Sequence, residues 1–134
     1  MWLLFVGIIL LEIILDFANY ETSQCINHNP KAGYLLIIHH ITSCFLLYGW
    51  LFSSKFLLLI HILVVVLTII YWKSNGDRCD MTLYVNEICE WPPEKPFHDL
   101  LDMIGLKQKP MWNELGHYLF IIAGGIISFW KLLH

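Results

Sequence analysis

The chain has 134 residues, of which 57% are hydrophobic and 14% charged, with a formal net charge of −3. Soluble domains carry about 25% charged residues, so this composition argues against a soluble fold. An acidic balance without a basic patch interleaved with aromatics excludes nucleic acid as a partner.

Four apolar stretches, residues 2–18, 33–53, 56–73 and 111–133, each have about the length of a bilayer-crossing helix, roughly 20 residues. The first lacks a basic leading region and is interrupted by Glu12 and Asp16, so it reads as a retained helix rather than a cleaved leader. It ends near Asn19 and Tyr20, and residues 21–31 form a polar loop broken by Asn29-Pro30. The second and third stretches are joined only by Ser53-Ser54-Lys55, which makes them an antiparallel hairpin. Tyr71-Trp72-Lys73 anchors the end of the third at a membrane interface. Ser74-Asn75-Gly76-Asp77 is turn chemistry.

Residues 77–110 are the one substantial region outside the apolar runs. Met81, Tyr84, Val85 and Ile88 recur at helical spacing, and Trp91-Pro92-Pro93 ends that segment. Phe97, Leu100, Leu101 and Ile104 repeat the pattern, with Gly105 as the residue after the helix. The spacing predicts two short amphipathic helices capping the membrane part. The fourth stretch comes after Pro110, with Met111-Trp112 at its interface. The expected fold is all-α: one membrane domain over residues 1–134, an integral membrane four-helix bundle running up-down-up-down.

An even number of crossings puts both termini on one side, here side A. Side A carries Lys55 and Lys131 but no acid; the opposite side B carries Lys31, Lys73, Arg78, Lys95, Lys107 and Lys109. Counting bases alone, side B, with the 74–110 loop, is the cytoplasmic or equivalent side. Cys25, Cys79 and Cys89 all fall on side B. Reduced thiols are expected there if it is cytosolic, and a Cys79–Cys89 or Cys25–Cys79 bridge if it is not, with the pairing open. Zinc held by Cys25, His28, Cys79 and Cys89 is a further alternative, because Cys25-x-x-His28 has ligand spacing.

Ionisable residues within apolar runs usually face a protein interior and often a function. Asp16, His39, His40 and His117 lie at similar depth, roughly 9 Å or less below side B by helix rise. Glu12 shares the face of Asp16, and Glu114 that of His117. Glu12, Asp16, His39, His40, Glu114 and His117 therefore form one candidate layer that handles protons or a cation. Glu12, His61 and Thr68 alone continue toward side A. A hydrogen-bonded network that only fixes helix packing is the competing structural reading.

A metal or redox enzyme is another, using the Glu114-x-x-His117 spacing of di-iron bundles with His39, His40 and Asp16. No cofactor is implied outright, and a metal ion is the runner-up. A bis-imidazole haem would need His39 with His117, since His61 is offset by roughly 12 Å. Gly124, Gly125 and Ser128 form a small-residue face for bundle packing or an oligomer contact. No potassium filter and no Ser/His/Asp or Cys/His catalytic pattern occurs, so an enzyme is the lesser expectation. The expected partners are the bilayer and either further copies of the chain or a larger membrane complex, in which it would be an accessory subunit.

The hairpin and the segment after it resemble a family of small uncharacterised membrane proteins best known from bacteria. Those place one His in a helix and a second early in the next, and then carry Cys-Pro-Leu-Thr-x-x-Glu-Asn. Here His39 or His40, Gly49, His61, Trp72 and Gly76 precede Cys79-Asp80-Met81-Thr82-Leu83-Tyr84-Val85-Asn86. Cys79, Thr82 and Asn86 match; Asp80, Met81 and Val85 depart from the pattern. The resemblance covers residues 33–133, with the first stretch as an addition. It implies a helical membrane bundle and no particular activity.

Overall fold

A computed structural model describes residues 1–93, 95, 100–103, 105 and 116–134, apart from the side chains of Met103 and His117. The described residues are helical, with no strand among them. In chain order the helices are α1 (Trp2–Ala18), α2 (Tyr20–His28), α3 (Pro30–Tyr48), α4 (Lys55–Ser74), α5 (Asp80–Ile88), α6 (Leu100–Met103) and α7 (His117–Leu133), with a 3-10 turn at Gly49–Leu51 after α3.

The expected polar loop at residues 21–31 is a helix instead. Asn19 is extended and its side-chain oxygen accepts from Glu21 N at 3.0 Å and Thr22 N at 3.3 Å. That cap starts a second helix at once, bent 83° from α1. Pro30 does not break the chain but opens α3 from its first turn, where its missing N–H costs nothing. The first amphipathic segment ends at Ile88, earlier than Trp91-Pro92-Pro93. Glu90 turns left-handed at φ 56°, Trp91 N donates to Asn86 O at 2.8 Å, and Glu90 N to Glu87 O at 3.1 Å. Those two bonds close a Schellman cap. Of the second amphipathic segment, α6 and Gly105 are described; Phe97, Ile104, Lys107, Lys109 and Pro110 lie outside the described residues.

Two helices are long and apolar enough to cross a membrane: α3 continued through its 3-10 turn, 22 residues, and α4, 20 residues. The α1–α2 pair qualifies as a third only if the bent pair is one span. The apolar α7 is shorter, and the stretch before it is outside the described residues. Large apolar side chains such as Leu3, Leu67, Ile126 and Phe129 face outward, while Glu12, Asp16, His40 and His61 are buried. With two helices of membrane-crossing length, that polarity suggests membrane association.

Helix α3 is the hub, touching α1, α2, α4, α5 and α7, and α4 packs lengthwise on α7. Gly124 and Gly125 serve this internal packing: a Cβ on Gly125 would meet Val65 Cγ1 at 3.3 Å, and one on Gly124 would meet Trp50 Cδ1 at 3.0 Å. The C-terminal end of α3 is closed by side chains. Trp50 Nε1 donates to Leu47 O at 2.9 Å, and Lys131 Nζ donates to Trp50 O at 3.0 Å and Phe52 O at 2.8 Å. These satisfy carbonyls that a helix end leaves unpaired.

Candidate functional site

Positions four apart on a helix share a face. On α1 this aligns Glu12 with Asp16, and on α3 it aligns His40 with Cys44. The packing of α1 on α3 brings the two faces together. His40 Nε2 lies 2.9 Å from Asp16 Oδ2, and His40 Nδ1 lies 3.5 Å from Glu12 Oε2. Cys44 Sγ donates to Glu12 Oε2 at 3.1 Å, and Thr22 Oγ1, reaching over from α2, donates to Asp16 Oδ1 at 3.1 Å. Glu12, Asp16, Thr22 and His40 are each 1% exposed. Glu12 Oε1, also buried, accepts no hydrogen bond from the described residues.

The imidazole thus stands between two carboxylates, with an oxygen facing each ring nitrogen. Both contacts are hydrogen bonds only if the ring is an imidazolium, or if one carboxyl carries the proton that a ring nitrogen accepts. The three side chains therefore meet as one buried acid–imidazole set.

The neighbouring His39 lies outside this arrangement. It is half-buried, its Nε2 lies 3.1 Å from Ser43 Oγ on its own helix, and its ring meets that of His40 edge-on at 6.0 Å. Adjacent helical positions are about 100° apart, so the two imidazoles cannot share one partner face. Glu114 lies outside the described residues, and of His117 only the backbone at the start of α7 is described. The described residues contain no group of three or more His, Cys, Asp or Glu placed to hold a metal ion.

Toward side A the interface below Cys44 is apolar: buried Phe5 and Phe52 pack with Ile8, Ile9, Phe45, Tyr48 and Leu57. Beyond it His61 is fully buried. Its Nε2–H donates to Leu46 O at 3.0 Å and its Nδ1 accepts from Ser128 Oγ at 2.7 Å, an assignment set by the carbonyl, which can only accept. Gly49 lies against the ring, where a Cβ would come within 2.4 Å of His61 Cδ2. His61 thus ties together the end of α3, α4 and α7, and is a packing bracket with each ring nitrogen matched. Sequence spacing misses Ser128 as its partner, because 67 residues separate them. Thr22 is equally invisible to spacing, since its position depends on the cap at Asn19.

Between α2 and the end of α5, Cys25 pairs with Cys89 in a disulfide. This is neither of the two expected bridges. The sequence order of three thiols does not reveal that α2 lies beside the end of α5. Cys79 is a free, half-buried thiol at the start of α5. The zinc alternative fails here, because two of its four ligands are bonded to each other. His28, the third, faces Gln24 O on its own helix at 2.8 Å. Asn86 is fully buried and its Nδ2 faces Pro92 O, Pro93 O and Lys95 O, each at 3.0 Å, which pins the segment after α5. Compared with known proteins, the chain matches no family model, no curated protein and no solved structure.

Proposed function

We propose that the chain is an integral membrane bundle of four crossing helices, α1, α3, α4 and α7, that holds exchangeable protons on Glu12, His40 and Asp16. The observation that carries this reading is His40 itself, buried between two carboxylates with an oxygen at each nitrogen. With neither carboxyl protonated and a neutral ring the site would bury two negative charges, which is costly without compensation. Each proton taken up removes one unit of that charge. A metal fits less well than a proton, because the imidazole has no nitrogen turned away from the acids. The apolar cluster around Phe5 and Phe52 favours a site that exchanges protons with side B over a path that conducts them to side A.

The disulfide supports an orientation. Bridges persist in oxidising compartments, so side B with the Cys25–Cys89 bond faces the lumen or the outside, and both termini face the cytosol. The base count points the other way, but three of its bases have local partners. Lys31 donates to Tyr84 Oη, Lys73 pairs with Asp77, and Lys95 with Glu21. The likeness to the small bacterial membrane proteins belongs to the same reading, supported by Gly49 against His61 and by the clamp at Asn86.

Infrared difference spectroscopy of the chain in bilayers tests this. The native protein shows a buried carboxyl that titrates and exchanges deuterium, and Asp16→Asn or Glu12→Gln changes that signal. A steady proton flux across proteoliposomes that vanishes in Asp16→Asn would overturn holding in favour of conduction. A native spectrum with no titrating buried carboxyl would overturn both.

A further inference from the structure

We propose that the Cys25–Cys89 bond is a thiol–disulfide exchange site whose reduction unlatches α2 from Asp16. The bond lines a side-B groove of about 470 Å³, with Glu21, Gln24, His28 and Trp91 around it. Both half-cystines are partly exposed, so a thiolate has access along the groove.

The two ends of the bond sit on helices with different anchors. Cys89 closes α5, and α5 is fixed by Val85 packed against Leu36, by Lys31 on Tyr84 Oη, and by the clamp at Asn86. Cys25 sits on α2, a polar helix of nine residues. A helix this short is marginal by itself in water. Single residues, Asn19 and Asn29, join it to α1 and α3; its ties include Ile26, seated on Gly33 and packed with Leu36 and Val85, the Thr22–Asp16 bond, and Glu21 with Lys95. Thr22 precedes Cys25 by three residues, on the same face, and is the residue that covers Asp16. What holds Cys25 in place therefore also holds the cover over the carboxylate.

The chemistry needs a dithiol. One of its thiolates attacks Cys25 Sγ, the S–S bond breaks, and Cys89 leaves as a thiolate that takes up a proton. The second thiol, as thiolate, attacks the mixed disulfide and releases Cys25, which is protonated in turn. Two electrons pass to the half-cystines and the dithiol leaves as a disulfide. Cys25 and Cys89, no longer bonded, leave α2 on its remaining ties, and it unwinds between its two junctions. The latch stands on this geometry alone; its effect on proton exchange rests on the function proposed above.

Hydrogen–deuterium exchange of the full chain in bilayers, with and without dithiothreitol, tests the latch, with Cys25→Ser/Cys89→Ser as a permanently open form. Backbone amides of α2 should gain about tenfold more in exchange rate than those of α4 once reduced. A water-soluble carbodiimide with an amine should then label Asp16, which is protected in the oxidised chain. Equal α2 protection in both states overturns the latch. So does exchange that rises in α4 and α7 as much as in α2, or a bond that dithiothreitol cannot reduce in the folded protein. If α2 opens and Asp16 is labelled, yet Asp16→Asn leaves the infrared titration untouched, the latch stands and the proton reading falls.

Discussion

Removing His40 alone should damage this protein far more than removing the whole triad. In His40→Leu, a side chain of similar volume replaces the imidazole, so little cavity forms. What changes is that Glu12 and Asp16, each 1% exposed, lose the group between them. Breaking a buried ionic contact by deleting one partner costs about 3–5 kcal/mol. Asp16→Val and Glu12→Met each remove one acid and leave the imidazole one-sided, with a cost in the same range. Additive effects would sum to roughly 9–15 kcal/mol, as much as the whole stability of a typical domain.

The triple variant leaves no buried charge to compensate, and such replacements are often neutral or stabilising by about 1–4 kcal/mol. Against that, Thr22 Oγ1 loses Asp16 as its acceptor, a cost of about 1–3 kcal/mol for a buried hydroxyl. The triple variant should therefore lie within about 2 kcal/mol of the native chain. Reversible unfolding in mixed detergent micelles measures all five proteins. A triple variant less stable than every single variant would refute the view that these residues form one charge-compensated unit.

Four other perturbations have defined outcomes. Cutting the bond with Cys25→Ser/Cys89→Ser reopens a loop of 64-residue separation, which loop-closure entropy values at roughly 4 kcal/mol; a loss under about 1 kcal/mol in the same micelle assay would contradict that. Gly49→Ala drives a Cβ to 2.4 Å from the His61 ring and should cost about 1–3 kcal/mol or more by overpacking, whereas Gly7→Ala, with open space around it, should cost nothing measurable. Glu90→Gly relieves a left-handed residue at φ 56° and should raise stability by up to about 1 kcal/mol; a drop would mean that the Glu90 side chain matters more than its backbone. Hydrogen bonds from Tyr71 and then Asn75 hold the Asp80 carboxyl below its usual range. Its contribution is therefore complete above the ordinary carboxylate pKa and fades as pH falls through the depressed one, which carbon NMR of Asp80 in native and Tyr71→Phe chains would show as an upward shift in the variant.

The apolar runs make the helical membrane character legible, because length and hydropathy depend on the residues of each segment alone. The face shared by Glu12 and Asp16 is legible for the same reason. Local pattern fails where the outcome depends on distant partners. Residues 20–28 are polar enough to read as a loop, and become α2 through the Asn19 cap and the seat of Ile26 on Gly33. Position along α3 cannot tell His39 from His40, since the choice is made by how α1 docks. The disulfide pairing needs the spatial neighbourhood of α2 and α5.

Nitrogen NMR of His40 in the bilayer-embedded chain tests the central claim most directly. The account predicts that both ring nitrogens carry a proton or share one with a carboxyl. It also predicts that the Nε2 signal moves in Asp16→Asn and the Nδ1 signal in Glu12→Gln. A ring with one bare nitrogen that neither substitution disturbs would contradict it.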